Sequence, residues 1–289
     1  MNNQQHLLQV AESYLDAGDA LPWLRSKVDK LQKSFQASDF FLAFSACSRF
    51  IARKPLHLKE SHLAQLQKIY PNFGAATWST DELARVILMT ALPVADNLIA
   101  LDKLFGTADY REQVAAYKGL YFLDNAARFS DRAREGLRTN MVGVFDAIAL
   151  DNPYPYDYLS EDAWNQMVLK AMFMGRPIYR IYRIEDRKNE KLTHMFIDYA
   201  HERWSAHRTV SPELWRFVSG FVRDQNLGDL QKAVLEGSPL ERQAAARAIA
   251  ESDHAAGHSW LQVQNIDPAQ LPSWRAIGQA WENQQKTTA

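Results

Sequence analysis

Signals that start a helix recur along almost the whole chain, and no stretch sustains the period-2 alternation of apolar and polar residues that marks a half-buried strand. Together these confine the fold to packed helices. Ser79-Thr80-Asp81-Glu82 sets a hydroxyl three residues before a carboxylate, a capping-box arrangement that satisfies orphan N–H groups at a helix start. Leu83, Val86, Ile87, Thr90 and Ala91 then follow at i, i+3, i+4, i+7 and i+8, and Pro93 stops the helix. Ser211-Pro212-Glu213 and Ser238-Pro239-Leu240-Glu241 each place a hydroxyl before a proline at the first helical position, and the second also completes a capping box. Further helices are expected near 3–16, 22–36, 39–52, 59–69, 107–123, 131–149, 160–173, 189–207, 253–264 and 273–283. The helical share should exceed roughly 60%, against about one third in an average globular protein.

Short connections make successive helices antiparallel neighbours. The Ala-rich, Arg-bearing run from Glu241 to Ala250 suits close helix stacking, because small side chains let neighbours approach. The expected architecture is all-α: stacked antiparallel helical hairpins in a HEAT-like α-solenoid, forming a single helical-repeat domain over 1–289. No fixed internal period occurs, so an irregular helical domain is the alternative. Two stretches stand apart. Ile178, Ile181 and Ile184 recur every three residues among Tyr179, Arg180, Tyr182 and Arg183, as a short helix or a 3₁₀ turn. Asp151 to Leu159 carries two prolines and three tyrosines and reads as an ordered loop, not a helix. Its Tyr154, Tyr156 and Tyr158 either bind something or cap the ends of neighbouring helices.

Composition narrows the function classes. The 33 basic and 34 acidic residues leave a net charge of −1, without the basic excess of a nucleic-acid binder, so no nucleic-acid partner is expected. Met1 to Val10 has neither a positive charge nor a secretory apolar run. The longest uncharged apolar stretch, Val86 to Ala95, falls far short of the roughly 20 residues of a membrane span. A cytoplasmic protein with no membrane span is the expectation. Cys47, the single cysteine, follows Phe40 and Phe44 at helical spacing and reads as a small buried hydrophobe.

The helix at 189–207 carries the candidate chemistry. Leu192, Met195, Phe196, Tyr199 and Ala206 share one face with Arg203 in its middle. Burial there would demand a carboxylate, and Asp186, Glu213 and Asp224 are nearest in sequence. The opposite face bears His194, Asp198, His201 and Ser205, with Glu202 at its edge. His194 and His201 lie about 10 Å apart along the axis, too far to share a metal whose bonds are about 2 Å. Asp198 and His201 alone supply too few ligands, so no metal or other cofactor is expected. His201 with Asp198 or Glu202 as an acid–base pair, or a solvated polar face, remain. A second stripe comprises Arg176, Arg180, Arg183 and Arg187, within about 60° of one another if the segment is helical. Glu185, Asp186 and Glu190 neutralise it within the fold, or it awaits a phosphate, a carboxylate or an acidic partner protein.

From Asn165 to Phe221 the chain resembles the EboA family. The resemblance is carried by Asn165-Gln166-Met167-Val168-Leu169-Lys170-Ala171, Pro177 to Ile181 and Asp186-Arg187-Lys188-Asn189. It continues through Asp198-Tyr199-Ala200-His201-Glu202-Arg203-Trp204 to Pro212-Glu213-Leu214-Trp215. Arg183 stands where the family pattern has a glycine. The resemblance implies a role in the movement or maturation of small secondary metabolites, and brings no catalytic residues with it. The leading expectation is a non-enzymatic binding or carrier protein. Its surface would combine Trp164, Asn165, Arg176, Arg180, Arg183, Arg187, Asp198 and His201, and its partner would be a small-molecule metabolite or an acidic protein. The alternatives are an enzyme using His201 with Asp198 or Glu202, and a helical scaffold that binds only proteins.

Overall fold

A computed structural model describes residues 2–74 and 77–288. The chain is 70% helical, and no strand occurs among the described residues. It divides into two compact units, Met1–Ala163 and Trp164–Ala289.

The first unit contains α1 (Asn3–Ala11), α2 (Ala20–Lys33), α3 (Ala37–Phe50), α4 (Glu60–Gln67), α5 (Thr80–Thr90), α6 (Asn97–Thr107), α7 (Tyr110–Gly119), α8 (Ser130–Leu137), α9 (Val142–Ala149) and α10 (Tyr154–Tyr158). Its centre is α5, packed against α1, α2, α3 and α7. Every residue of α5 from Thr80 to Met89 is buried, including three charged side chains. Each of these has a partner. Arg85 Nη1 lies 2.9 Å from Asp81, Lys118 Nζ lies 2.9 Å from Glu82, and Ser79 N–H donates to Glu82 at 3.0 Å. Cys47 faces this helix from α3, fully buried, and burial pushes its thiol up to about 12. It is therefore a packing residue and not a nucleophile.

Several boundaries differ from the sequence expectation. The 131–149 helix breaks after Leu137 and restarts at Val142. The stretch read as a proline loop contains the five-residue α10. Its proline falls in the first turn, where no N–H is needed, and Asn152 Oδ1 accepts the N–H of Tyr154 at 2.9 Å. Tyr154 is buried, its hydroxyl donating to Ala126 O at 2.7 Å, so this tyrosine ties two segments together. Helices α6 and, in the second unit, α13 were not anticipated.

The second unit takes in α11 (Glu161–Phe173, from Trp164 onward), α12 (Glu190–Ser205), α13 (Asp224–Glu236), α14 (Pro239–Ala250), α15 (Ala255–Val263) and α16 (Trp274–Thr288). Helix α14 packs against α13, α15 and α16, burying Ala244, Ala245, Ala246, Ala248 and Ile249. The small side chains thus serve the close stacking their composition suggested. Ser238 caps α14 as expected, its Oγ accepting Glu241 N–H at 3.3 Å. Ser211 does not cap, and the segment it opens, Pro212–Phe217, is a 3₁₀ helix. All six residues of that turn are buried, and α12 packs on it through Phe196, stacked on Phe217 at 4.6 Å. No helix among the described residues is long and apolar enough to cross a membrane.

Candidate functional site

The arginine stripe does not form, because residues 176–187 are not one helix. The segment is two short 3₁₀ turns, Ile178–Arg180 and Ile184–Arg187. Between them Ile181 is extended, and Arg183 adopts a left-handed conformation with φ +51°. The sequence resemblance leads one to expect glycine at this position, and the turn requires a conformation that glycine enters without steric cost. The arginines take separate surroundings. Arg187 stacks on the Trp164 ring at 4.7 Å, Arg183 reaches Asp186 at 2.5 Å, and Arg180 adds its charge to the field at Glu282.

Trp164 and Asn165 are core residues, 0% and 1% exposed, and so cannot line a surface. Asn165 exchanges two side-chain hydrogen bonds with Asn189, at 3.1 and 2.9 Å, while Asn189 caps α12 through Leu192 N–H at 2.9 Å. The pair fixes the start of α12 to α11.

Arg203 also departs from expectation. It is half-buried in the last turn of α12, and Ala206 just beyond it is exposed. Its Nε donates to Thr209 O at 2.9 Å, and its guanidinium sits 6.0 Å from the Tyr199 ring centroid. An arginine at a helix C-terminus can satisfy carbonyls there without any carboxylate. Arg203→Leu is accordingly expected to cost under about 1.5 kcal/mol, a shift of a few degrees in a thermal melt. A loss of twice that would restore the buried ion pair.

The buried pair belongs to Arg216 instead. Its Nη2 donates to Glu213 Oε1 at 2.9 Å and to Trp274 O at 2.9 Å, and its Nη1 to Glu185 at 2.7 Å. Glu213 has no exposure and also accepts Ile178 N–H at 3.0 Å. Burial pushes its carboxyl up to about 7, against the pull of Arg216 and the backbone N–H groups of Ile178 and Tyr179.

The polar face of α12 remains exposed at His194, Asp198, His201 and Glu202. His201 finds its carboxylate on another helix: Nε2 lies 2.7 Å from Asp229 of α13. Neither Asp198 nor Glu202 is its partner. The ring lies 5.9 Å from that of Trp204, and Lys232 of α13 holds its ammonium 4.9 Å from the Trp204 centroid. No three His, Cys, Asp or Glu side chains among the described residues come together as a metal site would require.

Beyond Trp204 opens a cleft of about 250 Å³, bounded by the end of α12 and the segment after it, by α13 and by the start of α14. Local backbone chemistry shapes each wall. At the end of α12, His207 N–H bonds to Trp204 O at 2.9 Å and Arg208 N–H to Arg203 O at 2.8 Å, the paired bonds of a Schellman ending. His207 occupies its left-handed position at φ +54°, where glycine is usual, and both His207 and Arg208 line the cleft. The α13–α14 corner needs Gly237, since a Cβ there would meet Ala233 O at 2.4 Å. Lys232 and Glu236 contribute from α13, and Glu241 from the first turn of α14. Glu241 is 5% exposed, and burial raises its pKa against the opposing effects of Ser238 N–H and the Trp215 indole.

The fold and this cleft define an all-helical protein with a recess of about 250 Å³ beside Trp204, edged by both signs of charge. A family model described as metabolite traffic protein EboA matches residues 4–219, about three quarters of the chain, and the chain belongs to that family. The resemblance at 165–221 is thus the C-terminal part of a much longer match. The end of α12 lies within it, whereas α13 and α14 lie beyond residue 219. No curated protein and no solved structure matches the chain significantly.

Proposed function

We propose that this chain is a non-enzymatic binding or carrier component of secondary-metabolite traffic or maturation, working in the cytoplasm, and that the Trp204 cleft seats the metabolite. The supporting observation is the cleft itself, found in a chain of a metabolite-traffic family. A half-buried tryptophan offers an apolar wall, and Arg208, Lys232 and Glu236 surround it with charged groups that could hold a polar ligand. The stacking of α13, α14 and α15 agrees with a HEAT-like arrangement in this part of the chain. His201 and Asp198 border the site in this reading, and the Arg176–Arg187 segment is assigned to an acidic partner protein.

The enzyme reading draws on one specific contact, the His201–Asp229 pair at 2.7 Å, which could orient an imidazole base. His201→Ala separates the two: a carrier keeps ligand affinity and export, an enzyme keeps affinity and loses turnover.

The test replaces the native protein by Trp204→Ala combined with Arg208→Glu. Arg208 is exposed, so its own effect on stability should be within about 0.5 kcal/mol. The expected result is a folded protein and accumulation of untransported precursor to the level of a deletion strain. Normal export from a variant with a cooperative melt would remove the cleft from the reading.

A further inference from the structure

Helix α3 is apolar on more than its core side. Its fourteen residues carry only two charges, Asp39 and Arg49. The inner side buries Phe40, Ala43, Phe44 and Cys47, as a surface helix does. The outer side should then be polar, yet Leu42 is 70% and Phe50 47% exposed. Trp23 of α2 stacks on Phe50 at 4.7 Å with the rings 11° from parallel, which extends the apolar surface onto the neighbouring helix. Apolar side chains grouped on the solvent side of a helix mark a surface that meets something other than water.

The charge around them narrows what that is. From Ala20 to Lys59, which takes in α2, α3 and the connection to α4, eight Lys or Arg residues stand against Asp29 and Asp39 alone. Asp29 pairs with Lys33 and Asp39 with Lys30, so both carboxylates are engaged within the segment. The whole chain carries 33 basic and 34 acidic residues, and the excess here is therefore local. Arg49, Arg53 and Lys54 are exposed and make no ion pair among the described residues. Arg49 lies two helical turns from Leu42 on the same side of α3, beside Phe50. Opposing charges flank the segment at Glu12, Asp16, Asp19 and Glu60; Glu12 is paired with Arg25, and with all four counted the balance stays positive.

An anionic bilayer surface meets both halves of this description. Acidic headgroups attract Lys and Arg, while Trp, Phe and Leu enter the acyl boundary beneath them. A nucleic acid would use the charges and stack on ring faces, but Leu42 offers a base no ring, and Trp23 and Phe50 each turn one face to the other. We propose that the face formed by Trp23, Leu42, Arg49, Phe50 and Arg53 docks the chain on a membrane leaflet rich in anionic lipid. The contact is peripheral: few apolar side chains enter, and the cations supply the rest of the attraction, so added salt weakens it. This surface does not depend on the Trp204 cleft or on what the cleft holds.

The test is co-sedimentation of the full chain with vesicles of equal parts phosphatidylcholine and phosphatidylglycerol, beside vesicles of phosphatidylcholine alone. Binding is expected to the first and not to the second. Arg49→Gln with Arg53→Gln should lower the partition coefficient on the order of tenfold. Leu42→Ser should lower it several-fold, and the exposure of Leu42 keeps the fold out of that comparison. Phe50→Ser, which also removes the Trp23 stack, should lower it further. Equal binding to both vesicles, or to neither, would overturn the proposal. Anionic binding unchanged in both serine variants would overturn it as well, because a basic surface would then be adsorbing without its apolar face. Retention of poly(U) or polyglutamate in place of the vesicles would give the face to RNA or to an acidic protein instead.

Discussion

Replacing Arg216 by methionine is expected to cost about 3–5 kcal/mol of stability, the usual consequence of removing one partner from a buried ion pair. The guanidinium is 2% exposed and links three segments: Glu185 at the end of the arginine turns, Glu213 in the 212–217 turn, and Trp274 O at the start of α16. Methionine fills much of the volume, so the loss reports charge and hydrogen bonding more than a cavity. The pH dependence sharpens the test. Burial raises the Glu213 carboxyl to about 7 in the folded protein, above its ordinary value. Its contribution to stability is therefore fully present below about pH 4.5 and is lost as pH rises through about 7. Without Arg216 the folded-state pKa should climb further, extending the loss to higher pH. Chemical denaturation at about pH 5 and about pH 8 should show a larger difference for Arg216→Met than for the parent. Equal differences, or a variant as stable as the parent at the higher pH, would mean that Glu213 is not held ionised by this arginine.

Much of the fold was legible because local chemistry and packing agree. The box at Ser79 and Glu82 opens a helix buried on every side, and the cap at Ser238 opens the alanine-rich α14. Where the sequence misled, a local rule had been extended past its range. Helical spacing in Arg176–Arg187 meant nothing once Arg183 took a left-handed turn. The wheel that buried Arg203 left out the end of α12, where the side chain donates to the carbonyl of Thr209 just beyond the helix. Trp164 and Asn165 belong to the expected surface, yet the fold buries both, with Arg187 over the indole and Asn189 on the amide. The cleft was missed for a different reason. Part of it comes from α13, whose Leu227, Leu230, Ala233 and Val234 follow helical spacing that was available to be read. That Lys232 and Glu236 face Trp204 across a gap depends on helix placement, which no sequence pattern encodes. Arg208 and Glu241 are ordinary residues until the Schellman ending and the Gly237 corner bring them to one recess.

A second large effect is expected at Gly278, where α16 crosses the first 3₁₀ turn. A Cβ there would lie 2.6 Å from both Cβ and Cδ1 of Tyr179 and 2.7 Å from Glu213 Oε1. Tyr179 Cβ is fixed to the backbone and cannot rotate away, so either the helix or the turn must move. The same contact is held at two other points: Tyr179 donates its hydroxyl to Glu282 at 2.5 Å, and Arg275 lies 5.7 Å from its ring centroid. Helix α16 thus clamps the turn that carries Arg180, and through Glu213 it touches the Arg216 network. Gly278→Val should lose about 1–3 kcal/mol from overpacking, more than any gain in helix propensity returns. The turn should also open locally before the protein unfolds, since its anchors fail together. Limited digestion with trypsin should cut after Arg180 and Arg183 several-fold faster than in the parent, with mass spectrometry identifying the sites. An unchanged melt and an unchanged cleavage pattern would show that α16 gives way freely and that the clamp does not hold the turn. Faster cleavage with export intact would confine the arginine segment to a structural role.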